Sequence, residues 1–344
     1  MLPRIFIGGT GRSGTTILYD ALGRHEAVYS FPNEMRFLVD PDGLMTLISE
    51  LSAQYSPVRA REALFRFERL MRVYLTVPQR APYFGFDLAR WLGGEYYWQR
   101  LDEFCAQMVE FEFHGRAWQV EPNIESRFDA WTERVRRVRQ RMRGAPVIAQ
   151  RLNLPRKRLR MARYFSDRTE LVELARVFVD DLFLRAADQH EKRTWCEKTP
   201  QNLFHIGFLY ELFPQSVFIH IKRDPRAIIH SMTKKEWVRA PNNVRDSCLF
   251  LRAMYDRWFD IKRAVDFNKY CYLELKLEDL AASPHSVLEQ VAAFCKLEGR
   301  FNTLPDITPD RANYWQKTMT VEDRQLVNEI LGAYIERLGY EVYV

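Results

Sequence analysis

The sequence is poor in cysteine, has no long apolar run, and lacks the lysine that a nucleotide-binding glycine loop normally carries. Its cysteines, Cys105, Cys196, Cys248, Cys271 and Cys295, are odd in number and widely scattered, with no C-x-x-C. That pattern excludes a disulfide framework and a cysteine zinc site, so no metal is expected. No stretch is apolar enough for long enough to span a bilayer. Leu2 to Ile7 run straight into a glycine-rich loop, which leaves no secretory leader and points to a reduced, cytoplasmic setting. Neither an internal repeat nor a low-complexity linker divides the chain. Residues 1–344 are therefore expected to form a single domain, and a hydrophobic content of 47% supports a sizeable core.

What is present begins at Ile5-Phe6-Ile7-Gly8-Gly9-Thr10-Gly11-Arg12-Ser13-Gly14-Thr15-Thr16. A short apolar run reads as a buried strand, and Ile17, Leu18, Ala21 and Leu22 then fall at helical spacing. Strand, glycine-rich loop and helix make an anion site. The glycines let the backbone approach, and the helix start offers N–H groups and the positive end of its dipole. Arg12 adds a fork of donors that suits oxyanions, and Thr15 and Thr16 add hydroxyls. Gly9 and Gly14 have the spacing of a nucleotide P-loop, but Thr15 stands where that motif has lysine. The cation has moved into the loop. A glycine turn with no ligand is the alternative reading.

Gly11-Arg12-Ser13-Gly14-Thr15-Thr16 resembles the 5′-phosphosulfate loop of sulfotransferases that use 3′-phosphoadenosine 5′-phosphosulfate (PAPS). The arginine form is similar to the tyrosylprotein, carbohydrate and bacterial branches, which makes a bacterial chain the expectation. The resemblance implies that Gly11, Arg12, Ser13, Gly14, Thr15 and Thr16 bind the donor.

Glu34 lies 22 residues beyond Arg12, past the first helix and a second expected strand, on the carboxyl rim of the sheet. By position alone it reads as a surface glutamate paired with Arg36. The resemblance makes it the general base, because related enzymes carry their proposed catalytic glutamate there. Trp195-Cys196-Glu197-Lys198-Thr199-Pro200 reads as a strand ended by proline, with Lys198 on the same rim or simply paired with Glu197. It resembles the E-K-T-P stretch of bacterial and Golgi-type enzymes, where the lysine assists the leaving phosphate. Pro200 stands where the cytosolic branch has its histidine base, which strengthens the reading of Glu34. His205 is taken as structural.

Val217 to Ile221 read as a buried strand, followed by Lys222-Arg223-Asp224-Pro225. Asp224 suits a helix N-cap and Pro225 the first helical position. Arg223 thus closes a strand beside another helix start. Arg223, Ser231 and Lys235 have the spacings of the family's 3′-phosphate site. His230 is expected to be structural. An alternating strand follows over 270–277, with Leu277 in a place where the family often has a nucleotide-contacting tyrosine. Trp315 and Lys317 are candidates in the segment that folds over the nucleotide in related enzymes.

Residues 44–190 look mainly helical, with Trp91, Tyr96, Tyr97 and Trp98 packing that layer or lining an acceptor cleft. From Arg134 to Arg163 there are 12 basic residues and no acidic one, although the whole chain carries only +6. Val135, Val138 and Met142 suggest an amphipathic basic helix there. Such a field favours an anionic partner: an acidic saccharide, a phosphorylated glycolipid or an anionic surface met peripherally through 134–163.

The expectation is a P-loop-like three-layer α/β fold. A central parallel sheet of about five strands (near 5–9, 27–31, 194–198, 217–222 and 271–277) would carry helices on both faces, with 44–190 as a largely helical acceptor-side insertion. The implied reaction moves the sulfuryl group of PAPS to a hydroxyl or amine and leaves 3′,5′-bisphosphoadenosine. Glu34, Lys198 and Arg12 would be catalytic, with no metal. A P-loop-type nucleotide kinase and a basic nucleic-acid-binding protein are the rival readings. The first lacks its lysine; the second lacks a recognition motif.

Overall fold

A computed structural model describes residues 2–78, 85–116, 156–234, 241–304 and 306–342. Five strands form the main sheet: β1 (Ile5–Gly8), β2 (Val28–Ser30), β5 (Thr194–Lys198), β6 (Val217–Lys222) and β7 (Cys271–Lys276). They run in the order β2-β5-β1-β6-β7 and every pairing is parallel. A second sheet pairs β3 (Val109–Arg116) with β4 (Arg156–Ala162) antiparallel.

The strands carry hydrophobic side chains on both faces, as a sheet covered on both sides requires. Alternation along each strand sorts them. Phe6, Trp195 and Phe218 face one core, with the helices Arg168–Asp188, Ile206–Leu212 and Val244–Ala264. Ile5, Ile7, Cys196, Val217 and Ile219 face the other, with the helices Thr15–Gly23, Leu277–Ala282 and Pro284–Phe294. This is the three-layer arrangement that the sequence implies, and all five expected strands lie where expected, shortened by one residue at some ends. Trp195 anchors the first core. It is fully buried, meets Phe6, Phe183 and Phe213 edge-on at 5.0–5.4 Å, and donates Nε1–H to Asp180 at 3.0 Å.

The helices start where local chemistry supplies acceptors. Asp167 accepts from the N–H of Thr169, Asn243 from that of Asp246, and Thr320 from that of Asp323. Each such cap contributes about 1 kcal/mol.

The insertion differs from the sequence reading in one respect. Beside its helices (Leu44–Leu51, Pro57–Arg69, Glu95–Gln107 and Arg168–Asp188) it holds the β3–β4 hairpin, so the basic residues 156–162 lie on a strand. Arg160 pairs with Glu68 and Arg163 with Glu170, so counter-charge for these two residues of the block arrives from elsewhere in the chain. The helix expected around Val135, Val138 and Met142, with Arg134 and the block as far as 155, lies outside the described residues. Tyr97 is fully buried and donates to the Met71 carbonyl, while Tyr96 donates to Asp181, so these rings pack the helical layer.

Candidate active site

β1 is the central strand, and its chain turns away from the sheet between neighbours β5 and β6. In open parallel sheets that switch point opens a crevice at the carboxyl ends of the strands. The loop after β1 is built from left-handed residues: Gly11 at φ 76°, Arg12 at φ 54° and Gly14 at φ 100°. At Gly14 a side chain would be strained by φ and its Cβ would sit 2.6 Å from Leu277. Arg12 tolerates a conformation that costs a non-glycine residue on the order of 1–3 kcal/mol, a cost typical of ligand-binding loops.

Gly14 precedes the helix Thr15–Gly23, and no side chain caps that start. Its first N–H groups therefore point at the crevice with their dipole uncompensated. The Ser13 hydroxyl is buried and has no hydrogen-bond partner.

Arg223, at the end of β6, approaches the same loop. Its Nη1 donates to the Arg12 carbonyl at 3.2 Å and its Nη2 to that of Ala312 at 2.9 Å, while its buried Nε has no partner. Burial pushes the Arg223 guanidinium below its ordinary range; Arg12 adds to this and Glu278 opposes it. Arg12 in turn donates Nε–H to the Ser231 hydroxyl at 3.0 Å. Among the described residues neither Arg12 nor Arg223 has an ion-pair partner.

Arg12, Arg223 and Ser231 line a cleft of about 730 Å³, together with Gly14, Thr15, Thr16, Leu277 and Trp315. The two anion sites read separately from the sequence thus meet in one cleft. Leu277 stands against Gly14, and the aromatic lining comes from Tyr314, which is exposed, and Trp315, which is buried beneath the Arg226 guanidinium at 4.6 Å. Lys317 lies elsewhere, exposed and paired with Asp310 at 3.0 Å. Lys235 lies outside the described residues; its neighbour Lys234 lines the cleft. His230, taken as structural, also lines it, with Nε2 2.9 Å from the Thr318 hydroxyl.

Glu34 and Lys198 come together on the other side of the Thr15–Gly23 helix start. Lys198 Nζ lies 3.1 Å from Glu34 Oε1, and Arg36 Nη1 lies 3.1 Å from Glu34 Oε2. Glu34 therefore pairs with Arg36, as its position in the sequence suggests, and also with the rim lysine. Lys198 does not pair with Glu197, which is fully buried. Glu197 accepts from the Met35 N–H at 3.0 Å, the Thr199 hydroxyl at 2.7 Å and the Asn202 amide at 2.5 Å. Burial still pushes the Glu197 carboxyl above its ordinary range. Sequence reasoning missed this anchor; its signal was a carboxylate inside an otherwise buried strand.

Lys198 lines a second cleft of about 410 Å³ with Tyr19, Phe31, Pro32 and Asn33. Thr16 lines both clefts. His205 ends the turn after Pro200, and burial pushes its imidazole below the ordinary value. Among the described residues no cluster of His, Cys, Asp and Glu is arranged to hold a metal ion, and no helix is long and apolar enough to cross a membrane.

Comparison with known proteins gives one family. The model described as the sulfotransferase family matches residues 100–302. Two curated relatives, the omega-hydroxy-beta-dihydromenaquinone-9 sulfotransferases Stf3 of Mycobacterium bovis and Mycobacterium tuberculosis, are each 28% identical over 184 residues. The match covers 48% of this chain and 44% of either relative, so it spans just under half the length of those proteins. Among solved structures, the sulfotransferase domain of the Synechococcus PCC 7002 olefin synthase is 18% identical with a TM-score of 0.46, over 99% of this chain and 96% of that one. The sulfotransferase domain of the curacin biosynthetic pathway is 15% identical with the same TM-score of 0.46, over 100% and 99%.

Proposed function

This chain belongs to the sulfotransferase family, and from that premise we propose that it uses PAPS as donor and transfers the sulfuryl group to a hydroxyl or amine. The observation that carries this reading is the uncompensated cationic cleft. Arg12 and Arg223 converge on it with no ion-pair partner among the described residues. Arg223, which lines it, has a buried Nε without a hydrogen bond, and the helix start at Thr15 is uncapped. Buried polar groups without partners are costly and call for a ligand. A cleft of about 730 Å³ suits a nucleotide, and its cations suit one with phosphate-type groups at two positions.

The loop, Arg12 and the helix start would hold the phosphosulfate end; Arg223, Ser231 and Lys234 would hold the 3′-phosphate, with Lys235 a sequence candidate for the same end. Tyr314, exposed on the cleft, offers a face for the base, with Trp315 packed behind it under Arg226. When bound, PAPS supplies an activated sulfuryl group and a bisphosphate leaving group. Glu34 takes the acceptor's proton on its carboxylate. Arg12, Lys198 and the N–H groups of the helix start set positive charge where negative charge grows, which is the electrostatic logic of group transfer from phosphate. Thr16 lines both clefts, which supports a reading in which the first holds the donor and the second admits the acceptor. By its name the curated relative acts on an omega-hydroxy menaquinone derivative, and an alcohol on an apolar body is one acceptor class for this chain. An acidic saccharide or phosphorylated glycolipid held by the basic block 134–163 is the other.

Calorimetry tests the donor. 3′,5′-Bisphosphoadenosine should bind without metal and more tightly than adenosine 5′-phosphate or ATP with magnesium. Tighter binding of ATP with magnesium would return the nucleotide-kinase reading.

A further inference from the structure

Glu34 is held by two cations of different mechanical character. Arg36 spends Nε and Nη2 on Asp40, at 2.7 and 3.1 Å, and turns Nη1 to Glu34 at 3.1 Å. A guanidinium held at two points by a carboxylate is fixed in plane as well as in position. Asp40 cannot follow a swing of Arg36, because it is 5% exposed and its own N–H is bonded to the Arg36 carbonyl at 2.9 Å. The backbone beside Glu34 is also tied, since the Met35 N–H donates to buried Glu197. Lys198 is different. Its ammonium is a single point on a flexible stem, lying 5.7 Å from the centre of the Tyr19 ring and lining the cleft beside Thr16.

We propose that Arg36, locked by Asp40, is a positioning residue that aims the Glu34 carboxylate and keeps that aim when Lys198 turns toward the departing group. The proposal rests on Glu34 being the base. The chemistry asks Lys198 to serve the leaving phosphate and Glu34 to serve the acceptor, so their 3.1 Å ion pair must loosen during turnover. Lys198 can leave Oε1 by rotating its stem. Arg36 remains on Oε2, and the carboxylate keeps its direction without Lys198. Misaiming a reacting group by about 1 Å can cost on the order of 10²-fold in rate. Other titratable or charged groups facing this array are Glu197 beside Glu34 and His205 beside Asp40, the latter next to Arg257.

The test compares Arg36→Gln, Asp40→Asn, Arg36→Lys and Glu34→Gln. Turnover is read as 3′,5′-bisphosphoadenosine released from PAPS with p-nitrophenol or 1-decanol as acceptor. Arg36→Gln should lower kcat by about 10- to 100-fold, with acceptor KM and the calorimetric affinity for 3′,5′-bisphosphoadenosine changed less than about twofold. Asp40→Asn should lower kcat in the same manner but less. Arg36→Lys should recover part of the loss, because a lysine can reach Glu34 but cannot fork onto Asp40. Adding Arg36→Gln to Glu34→Gln should cost nothing further. A crystal structure of Arg36→Gln should show the Glu34 carboxylate rotated from its present direction. An unmoved carboxylate, or full kcat in Arg36→Gln while Glu34→Gln is impaired, overturns this proposal and leaves the base assignment standing. A normal rate in Glu34→Gln overturns the base assignment itself. Loss of donor affinity alongside kcat would make Arg36 merely structural. If Arg36→Gln does not fold, Arg36→Lys decides by the same readouts.

Discussion

The two halves of the sheet's carboxyl rim manage charge in opposite ways. Beyond β1 and β6, Arg12 and Arg223 face one cleft with no ion-pair partner among the described residues, and the buried Arg223 Nε has no hydrogen-bond partner either. Beyond β2 and β5, cations and carboxylates alternate in a closed chain: Lys198 with Glu34, Glu34 with Arg36, Arg36 with Asp40. An unpaired positive field has its main use when an anion arrives, which suits the first half to the donor binding proposed for it. A compensated array gains little from another charge but fixes direction, which suits the second half to the aiming of Glu34 proposed above. The helix start at Thr15–Thr16 stands between them and lines both clefts.

The most severe break should come from the compensated half. Glu34→Gln keeps size and removes the proposed base, so turnover should fall by about 10²-fold or more while donor affinity stays within about twofold. Steady-state rates set beside calorimetry check this, and a near-normal rate would send the search to His205 or His25. Breaking the other half should show in binding first. Arg223→Ala removes a charge-assisted contact worth about 1.5–3 kcal/mol and should weaken 3′,5′-bisphosphoadenosine by roughly 10- to 150-fold. Its affinity for adenosine 5′-phosphate should change far less. Equal losses on both ligands would dissolve the assignment of Arg223 to the 3′-phosphate.

The seam between the halves can be strained directly. Gly14→Ala places a side chain at φ 100° against Leu277, so it should destabilise the fold by about 1–3 kcal/mol and weaken donor binding as well. Thermal melting with and without nucleotide measures both effects; an unchanged melting temperature would show the loop to be less constrained than its geometry. The smallest effect concerns pH. Burial holds His25, His205, His220 and His230 below the ordinary histidine value. The unfolded chain therefore takes up protons first as pH falls through about 6.5, and stability present above that pH is lost below it. Burial holds Glu197 and Glu278 above the ordinary carboxyl range, which returns some stability on acidification. With four groups opposing two, the melting temperature should be lower at pH 5.5 than at 7.5. A rise over that interval would put the carboxyls in control.

Strand positions were legible in the sequence because parallel strands buried on both faces read as short apolar runs rich in β-branched and aromatic residues and bounded by glycine or proline turns. The turn after β1 was legible for a related reason: closely spaced glycines mark a loop that takes up left-handed conformations, as Gly11 and Gly14 do. The β3–β4 hairpin was not, since Arg156-Lys157-Arg158 carries none of the alternation that marks a half-buried strand. Lys198 and Glu34 were each placed on the rim, yet nothing local could reveal that they pair across 164 residues rather than with Glu197 and Arg36 alone.

The sequence by itself determined the positions of the five main-sheet strands, the two-faced sheet and the chemistry of each candidate group, because periodicity and residue type are local properties. Only the tertiary structure decided which charges remain uncompensated. Arg12 could have met a carboxylate and met Ser231; Glu197 could have served Lys198 and instead is buried under Met35, Thr199 and Asn202. Charge compensation depends on distances between residues far apart in the chain, and those distances exist only once the sheet has brought its carboxyl ends to one rim.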